Sequence, residues 1–181
     1  MDTEPCVSRV SAVRHASQPV AISIGRSGQR LNMSRRVLQT FELHRQSSVS
    51  DLEAGGVLLA RFELPNVIIE EVTAPSLKDR RSRLAFVADQ ASRRRAVSRA
   101  YKKGLHFIGE WHTHPQADPT PSACDLRSMN DLFVKSLHEL NLLVMVIVGA
   151  RTPELSLWIS LHDASCSHLL TKLRIQRAGW P

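Results

Sequence analysis

Residues 107–115 read FIGEWHTHP and residues 122–125 read SACD, and these two stretches decide the fold. The alternation of apolar and polar residues in the first stretch predicts a strand. Side chains two positions apart on a strand point the same way, so His112 and His114 are predicted to share one face, together with Glu110. The opposite face is predicted to carry Phe107, Trp111 and Thr113.

A third metal ligand is predicted just downstream of the two histidines. Residues 115–121 contain three prolines and form a loop, which turns the chain back. The helix that Ser122 opens then presents Asp125 beside His112 and His114. Two imidazoles and one carboxylate leave a fourth position for water, which is typical of a catalytic Zn²⁺. Ser122 and Asp125 are also an ordinary helix-capping pair, and the two interpretations do not exclude each other.

In the rest of the chain, hydrophobic periodicity predicts a mixed α/β domain with a central sheet covered by helices. Strands are predicted at residues 20–24, 55–60, 66–72, 84–87, 105–114, 142–148 and 155–161. Helices are predicted from Ser34 to about Arg45, from Asp89 to Gly104, and onward from Ser122 with an apolar stripe that reaches Leu137. Residues 169–175 fit a strand or a helix. Residues 1–18 are predicted to be a flexible tail and residues 19–181 a single domain.

Composition sets further bounds on this chain of 181 residues, of which 43% are hydrophobic. The start of the chain lacks the apolar core of a secretory signal, and no apolar run is long enough to cross a bilayer, so a cytoplasmic protein is expected. Three widely spaced cysteines argue against a disulfide framework, and we expect them to serve as small apolar side chains.

The net charge of +7 is concentrated in residues 78–83 and 93–103. A solvated basic surface is the expected interpretation, with an acidic protein partner as the alternative. No recognisable nucleic-acid-binding module accompanies the charge, so a nucleic-acid partner is not expected.

The combined pattern H-x-H-x7-S-x2-D, with an upstream glutamate entering a Gly-Gly strand, resembles that of the JAMM (JAB1/MPN+) metallopeptidases. The segments EAGGVLLA (residues 53–60) and FIGEWHTHP are especially similar to a bacterial branch. That branch occurs in antiphage operons beside ubiquitin-transfer-like enzymes and includes the deubiquitinase-like peptidases of CBASS systems. Residues 73–83, with Pro75, Asp79 and Arg81, are similar as well. The resemblance spans about residues 53–161, and Ala60 stands where many members have glycine.

This resemblance implies an MPN fold with a central mixed, mostly antiparallel sheet flanked by helices. It implies that one Zn²⁺ is bound by His112, His114 and Asp125, with Glu53 as the general base and Ser122 as the residue that supports the oxyanion. The implied reaction is hydrolysis of a peptide or isopeptide bond after the C-terminal glycine of a ubiquitin-like protein. The implied partners are that protein or its conjugated target, such as a cGAS-like nucleotidyltransferase, and the E1/E2-like enzymes of the operon.

Several alternatives stay open at this point. Glu110 is the rival general base, or a residue that orients an imidazole, or a structural acid. A non-catalytic scaffold of the same fold and a peptidase that matures a sulfur-carrier-like protein are the alternative functions. Cys124 lacks the surroundings of a nucleophile and is predicted to be a small residue inside a helix turn. No ligand-like partners are apparent in the sequence for the remaining histidines, which are His15, His44, His106, His138, His162 and His168.

Overall fold

The computed structural model of the chain describes residues 13–15, 20–152 and 154–176. Eleven strands and three helices make up this part of the chain. The strands are β1 (Val13–His15), β2 (Val20–Ser23), β3 (Arg30–Met33), β4 (Gly55–Glu63), β5 (Asn66–Val72), β6 (Arg80–Arg81), β7 (Phe86–Val87), β8 (His106–Thr113), β9 (Leu143–Val148), β10 (Leu155–His162) and β11 (Ser167–Gln176). The helices are α1 (Arg35–His44), α2 (Gln90–Tyr101) and α3 (Ala123–Lys135).

Nine of the strands form one sheet in the order β1-β11-β10-β9-β8-β4-β5-β3-β2. Three neighbouring pairs are parallel, namely β1 with β11, β3 with β5, and β8 with β9. The other five pairs are antiparallel. The predicted α/β class with a mixed, mostly antiparallel central sheet is therefore confirmed.

Alternation along the central strands gives each face of the sheet its own apolar core. On β9, Val144, Val146 and Val148 join the core that α1 covers. The intervening Leu143, Met145 and Ile147 pack with Met129 of α3 on the other face. A buried run of this kind is typical of a strand that is covered on both sides. The sheet is thus sandwiched between α1 on one face and α2 with α3 on the other.

Helix boundaries follow the capping residues that the sequence indicated. Ser34, Asp89 and Ser122 are the N-caps of α1, α2 and α3, and each side chain accepts a hydrogen bond from a backbone N–H of the first turn. Gly104 follows α2 with a φ of 75°, which suits a glycine at the end of a helix. Within the described ranges no helix combines the length and the apolar character that a membrane span requires.

Some local predictions differ from the structure or gain detail from it. α3 ends at Lys135, and Leu137 lies beyond it with a fully exposed side chain, so Leu137 is wrongly placed in the predicted helical stripe. The open choice for residues 169–175 resolves to a strand, β11. Of the predicted tail, residues 13–15 form β1 beside β11, whereas residues 1–12 and 16–18 lie outside the described residues.

A bulge in β8 changes which side chains share a face. The register with β4 shifts between Leu58 and Leu59, opposite Gly109, whose φ is 148°. Side chains before the bulge therefore alternate out of phase with those after it. Phe107 consequently packs on the face of α2 and α3, and its predicted place beside Trp111 is wrong.

Candidate metal centre

Three predicted ligands converge where the end of β8 meets the start of α3. The Nε2 atoms of His112 and His114 are 3.2 Å apart. Asp125 places Oδ1 3.4 Å from His112 Nε2 and Oδ2 3.4 Å from His114 Nε2. The three side chains are only 13–16% exposed, so the ring nitrogens and the carboxylate face one another rather than bulk water.

These separations fit a tetrahedral metal ion. A Zn²⁺ ion with ligands at about 2.0–2.1 Å places neighbouring nitrogen and oxygen ligands roughly 3.3 Å apart. The separation of 3.2 Å between the two Nε2 atoms matches one edge of such a tetrahedron, and each carboxylate oxygen of Asp125 lies 3.4 Å from one of these nitrogens. Two neutral imidazoles and one carboxylate are also a donor set that zinc accepts, so the residues present fit the ion.

Asp125 combines two roles at the first turn of α3. Its Oδ2 accepts a hydrogen bond from the backbone N–H of Ser122 at 2.6 Å, and its own N–H donates to Ser122 Oγ at 3.2 Å. This reciprocal capping box fixes the carboxylate relative to the helix. Burial raises the pKa of Asp125, but the hydrogen bonds from His112 and His114 outweigh burial and hold it far below its usual range. The group is therefore a carboxylate at neutral pH.

Glu53 reaches the two histidines from the loop before β4. One of its carboxylate oxygens and one ring nitrogen of each of His112 and His114 all lie within 4.8 Å of one another. The residue is 6% exposed. Burial is the main cause that raises the pKa of Glu53, opposed by the nearby imidazoles of His112 and His114. A carboxylate in this position can accept a proton from a water molecule held between the imidazoles.

The backbone of Glu53 is tied to the segment that carries β6. Its N–H donates to the carbonyl oxygen of Ser82 at 2.8 Å, and its carbonyl oxygen accepts from Arg81 Nε at 2.6 Å. Arg81 also donates through Nη2 to the carbonyl oxygen of Leu52 at 3.0 Å. Asp79 fixes the start of this segment by accepting from the N–H of Ser76 at 2.6 Å. Glu53 is thus held by main-chain bonds on a short, braced loop.

A second anchor comes from Thr113, which lies between the two histidines and points to the opposite face. Its hydroxyl accepts from the N–H of Ala54 at 2.9 Å and donates to Gln46 Oε1 at 3.0 Å. Gln46 in turn donates to the carbonyl oxygens of Asp51 and Arg83, at 3.2 and 2.8 Å. Thr113 and Gln46 are 0% and 2% exposed. The strand that carries the histidines therefore fixes the loop that carries Glu53.

The rival acid, Glu110, is engaged elsewhere. Its Oε1 lies 2.9 Å from Arg93 Nη2 on α2, and the Arg93 guanidinium also stacks over the Phe107 ring at 5.2 Å. Burial raises the pKa of Glu110, and the charge of Arg93 opposes this rise. Its carboxylate is thus paired with α2, in keeping with a structural acid.

A groove of about 750 Å³ opens beside His112, Asp125 and Glu53. Its walls come from β4, from β7 with the following residues, and from α2, and the start of α3 closes one end. Arg93, Arg95 and Arg99 of α2 line it together with Glu110 and Asp125. The basic side chains of α2 therefore border the groove as well as the solvent.

Sequence reasoning missed the residues that support the site. A buried threonine between two histidines carries a signal, since a hydroxyl there must find partners, but its partner Gln46 lies 67 positions away. The prediction that the cysteines pack as small apolar residues is wrong for Cys124 and Cys166, which are exposed free thiols. Cys6 lies outside the described residues.

Comparisons with known proteins agree with this architecture. A protein of Pseudomonas aeruginosa named CD-NTase/cGAS isopeptidase is 35% identical over 120 residues, which are 65% of this chain and 76% of that protein. Proteins of the same name from Enterobacter hormaechei and Escherichia coli are 32% and 27% identical, over 54% and 68% of this chain and 55% and 76% of their own lengths. A protein of Desulfitobacterium hafniense with a known solution structure shares the fold at a TM-score of 0.58, with 20% identity over 81% of this chain and 92% of its own.

The match to a protein family covers both segments that form the site. Residues 34–160 match the family described as prokaryotic homologs of the JAB domain. This range contains α1, the groove, the three ligands and Glu53. The resemblance to JAB/MPN proteins that the motif indicated is thereby confirmed. The chain belongs to the family of prokaryotic homologs of the JAB domain.

Proposed function

We propose that this chain is a zinc-dependent isopeptidase, and that residues 19–181 form its single peptidase domain. The observation that carries the proposal is the convergence of His112, His114 and Asp125, with separations of 3.2 and 3.4 Å between their polar atoms, and with Glu53 within 4.8 Å of both histidines. The end of β8, the first turn of α3 and the loop before β4 bring these four residues together. A scaffold without activity would not require a buried acid beside a metal-binding face.

In this proposal each residue of the site has a separate task. Zinc, when bound by His112, His114 and Asp125, supplies a Lewis acid that lowers the pKa of a water ligand toward neutrality. Glu53 takes the proton of the attacking water and then transfers it to the leaving amine. Its raised pKa suits this exchange, because the proton is held more firmly than on an ordinary glutamate. Burial keeps both steps away from bulk water.

Ser122 is proposed to support the oxyanion. Its hydroxyl oxygen already accepts the N–H of Asp125 at 3.2 Å, so the hydroxyl retains its own proton for donation. Ser122 is exposed at the open side of the site, next to the metal ligand on the same helix turn. A donor in this place stabilises negative charge that develops on the substrate carbonyl.

The proposed substrate is the C-terminal tail of a ubiquitin-like protein joined to a target. The relatives are named for isopeptidase action on a CD-NTase/cGAS protein, which makes a conjugated nucleotidyltransferase the first target to test. β7, which is paired with β6, contributes Phe86 and Val87 to the wall of the groove. An extended peptide can gain main-chain hydrogen bonds beside such a short strand.

The proposed setting is a bacterial antiphage defence operon in the cytoplasm, with E1/E2-like enzymes that form the conjugate. Deconjugation and maturation of a precursor use the same hydrolysis, because both cleave after a terminal glycine. The +7 net charge and the arginines of α2 beside the groove favour an acidic partner surface.

The test is cleavage of a defined fusion. The purified chain is incubated with an operon-encoded ubiquitin-like protein fused or conjugated to its nucleotidyltransferase, with and without a chelator, and the products are measured by mass spectrometry. We expect a new C-terminus at the terminal glycine, loss of cleavage with the chelator, and recovery on adding Zn²⁺. Cleavage that persists in the metal-free protein, or His112→Ala protein with full activity and no bound metal, contradicts the proposal.

A further inference from the structure

A second cluster of metal-binding side chains lies at the turn between β10 and β11. It consists of Asp163, Cys166 and His168. Cys166 Sγ is 3.0 Å from His168 Nε2, and Asp163 Oδ2 is 3.6 Å from the same sulfur and 3.5 Å from the same nitrogen. His168 is exposed, and the turn places it beside a partner set that spacing along the sequence did not reveal.

Two of the three separations agree with those around a tetrahedral zinc ion. Bond lengths of about 2.3 Å to sulfur and about 2.0–2.1 Å to nitrogen or oxygen place the ligand atoms roughly 3.3–3.6 Å apart. The two distances that involve Asp163 fall in this range, and the sulfur–nitrogen distance is shorter by about half an ångström. A small rotation of the half-exposed His168 ring closes that difference.

The turn fixes one carboxylate oxygen of Asp163 and leaves the other for an ion. Oδ1 accepts hydrogen bonds from the N–H and the hydroxyl of Ser165, both at 2.7 Å, and from the N–H of Cys166 at 2.9 Å. Oδ2 is the atom that faces His168. Cys166 Sγ lies 3.6 Å from each of the two carboxylate oxygens, so the sulfur, the His168 ring and Oδ2 converge on one side of the turn.

We propose that Asp163, Cys166 and His168 form a second, structural Zn²⁺ site that is separate from the catalytic centre. A thiolate, an imidazole and a carboxylate are a donor combination that selects zinc over magnesium or calcium. Cys166 releases its thiol proton to solvent on binding, so the thiolate and the Asp163 carboxylate balance the two charges of the ion. Exposure of Cys166 and His168 leaves the fourth position for a water ligand.

The site fastens the β10–β11 turn next to the helix that bears Asp125. Asn130 of α3 donates through Nδ2 to the carbonyl oxygen of Ala164 at 2.7 Å, inside the same turn. An ion that holds Asp163 and His168 together fixes this carbonyl in place. Zinc binding here is therefore expected to stabilise the folded chain in proportion to the free metal concentration.

The test uses Co²⁺ as a spectroscopic substitute for zinc in the full chain. A cobalt–thiolate bond gives a charge-transfer band in the near ultraviolet, and the catalytic centre contributes no thiolate. We expect the band in the parent and in Cys124→Ser, which removes the other exposed thiol among the described residues, and its loss in Cys166→Ser. We also expect Zn²⁺ binding at this site to weaken more in Cys166→Ser than the roughly 10–100-fold that outer-shell changes cost.

Metal counts separate this proposal from the catalytic one. The parent is expected to bind about two zinc ions per chain, and both His112→Ala and His168→Ala about one. If His112→Ala lowers the number of bound zinc ions and His168→Ala does not, only the catalytic site is supported and the turn site is overturned. If His168→Ala lowers that number and His112→Ala does not, only the turn site is supported. A parent without the thiolate band at saturating Co²⁺, or Cys166→Ser protein with an unchanged zinc count, overturns the second site. Equal melting temperatures of the variants in chelator show that folding is preserved.

Discussion

At the scale of single residues, Thr113 joins the two halves of the proposed active site. Its neighbours in sequence, His112 and His114, are the proposed metal ligands, whereas its own hydroxyl is buried on the other face between Ala54 and Gln46. The position of Glu53, one residue before Ala54, therefore depends on a side chain that does not contact the substrate. Thr113 is a positioning residue.

We expect Thr113→Val to lose activity without losing metal. The change leaves the N–H of Ala54 and the amide of Gln46 without their partner in a dry environment, which costs about 1–3 kcal/mol of stability. A small displacement of Glu53 is expected to reduce turnover by roughly 100-fold. The measurements are kcat, zinc content and the free energy of unfolding. Thr113→Ser keeps the hydroxyl and should restore most of kcat, and equal loss in both variants contradicts the role.

Glu53→Gln is expected to retain zinc and lose turnover. The amide occupies the same volume but cannot accept the proton of water, so kcat should fall by roughly 10²–10⁴-fold. Glu110→Gln is the matched control, because that acid is paired with Arg93, and its loss should be much smaller. If the control loses more activity than Glu53→Gln, the assignment of the base is wrong.

At the scale of elements, the bulge in β8 decides which side chains reach the groove. A methyl group on Gly109 would overlap the backbone carbonyl of Val144 on the neighbouring strand β9. Its φ of 148° is also one that other residues rarely adopt. The glycine therefore allows β8 to pack directly against β9 while the chain changes phase before Glu110.

We expect Gly109→Ala to destabilise the fold by more than about 3 kcal/mol, since both backbone strain and a clash with main chain must be relieved. Gly28→Ala is the matched control: its φ is 75°, but an added methyl group meets no neighbouring atom. Strain alone should cost the control about 1–2 kcal/mol. Urea unfolding of both variants measures the difference, and similar losses would show that the contact with Val144 is unimportant.

The bulge in β8 also shows which features local sequence patterns cannot predict. Alternation located β8 well, and caps located the helices, because both signals are local. The phase change at Gly109 reversed the face of Phe107, since a bulge depends on the close approach of β9, a strand more than thirty residues away. β6 and β7 are two residues each, too short for periodicity, so residues 80–87 could be predicted only as a loop and a short strand.

At the scale of the whole molecule, one buried histidine should make stability depend on pH. His162 is 2% exposed, and its Nε2 is hydrogen-bonded to Ser160 Oγ at 2.9 Å. Burial, with a smaller contribution from His168, lowers the pKa of His162 from 6.5 to about 4. Between these values the unfolded chain binds a proton that the folded chain does not, so acid favours unfolding.

We therefore expect the free energy of unfolding to fall as pH drops from 6.5 to about 4, and this contribution to level off below that range. The slope from one such group is at most about 1.4 kcal/mol per pH unit. His162→Gln keeps a hydrogen-bonding side chain but does not titrate, so its slope should be smaller. Denaturant unfolding at several pH values, with chelator throughout, measures this, and identical slopes would exclude His162 as the cause.

The candidate site was more predictable than the sheet that carries it. Two ligands are separated by a single residue and the third follows within one loop and one helix turn, so short-range geometry suffices to bring them together. Strand order is different: β3 lies beside β5 in parallel, and β8 beside β9, through connections whose partners no local pattern specifies. The supports of Glu53 depend on this order, which explains why Gln46 and Arg81 were not predicted as parts of the site.

The hydrogen bonds from Arg81 to the carbonyl oxygens of Leu52 and Glu53 connect the wall of the groove to the loop that carries Glu53. Arg81 belongs to β6, and the paired strand β7 forms part of the wall of the groove. A peptide that displaces β7 is expected to displace the main chain of Glu53 as well, because the guanidinium of Arg81 links β6 to that main chain. We therefore expect the seating of a tail in the groove and the placement of the Glu53 carboxylate to be coupled.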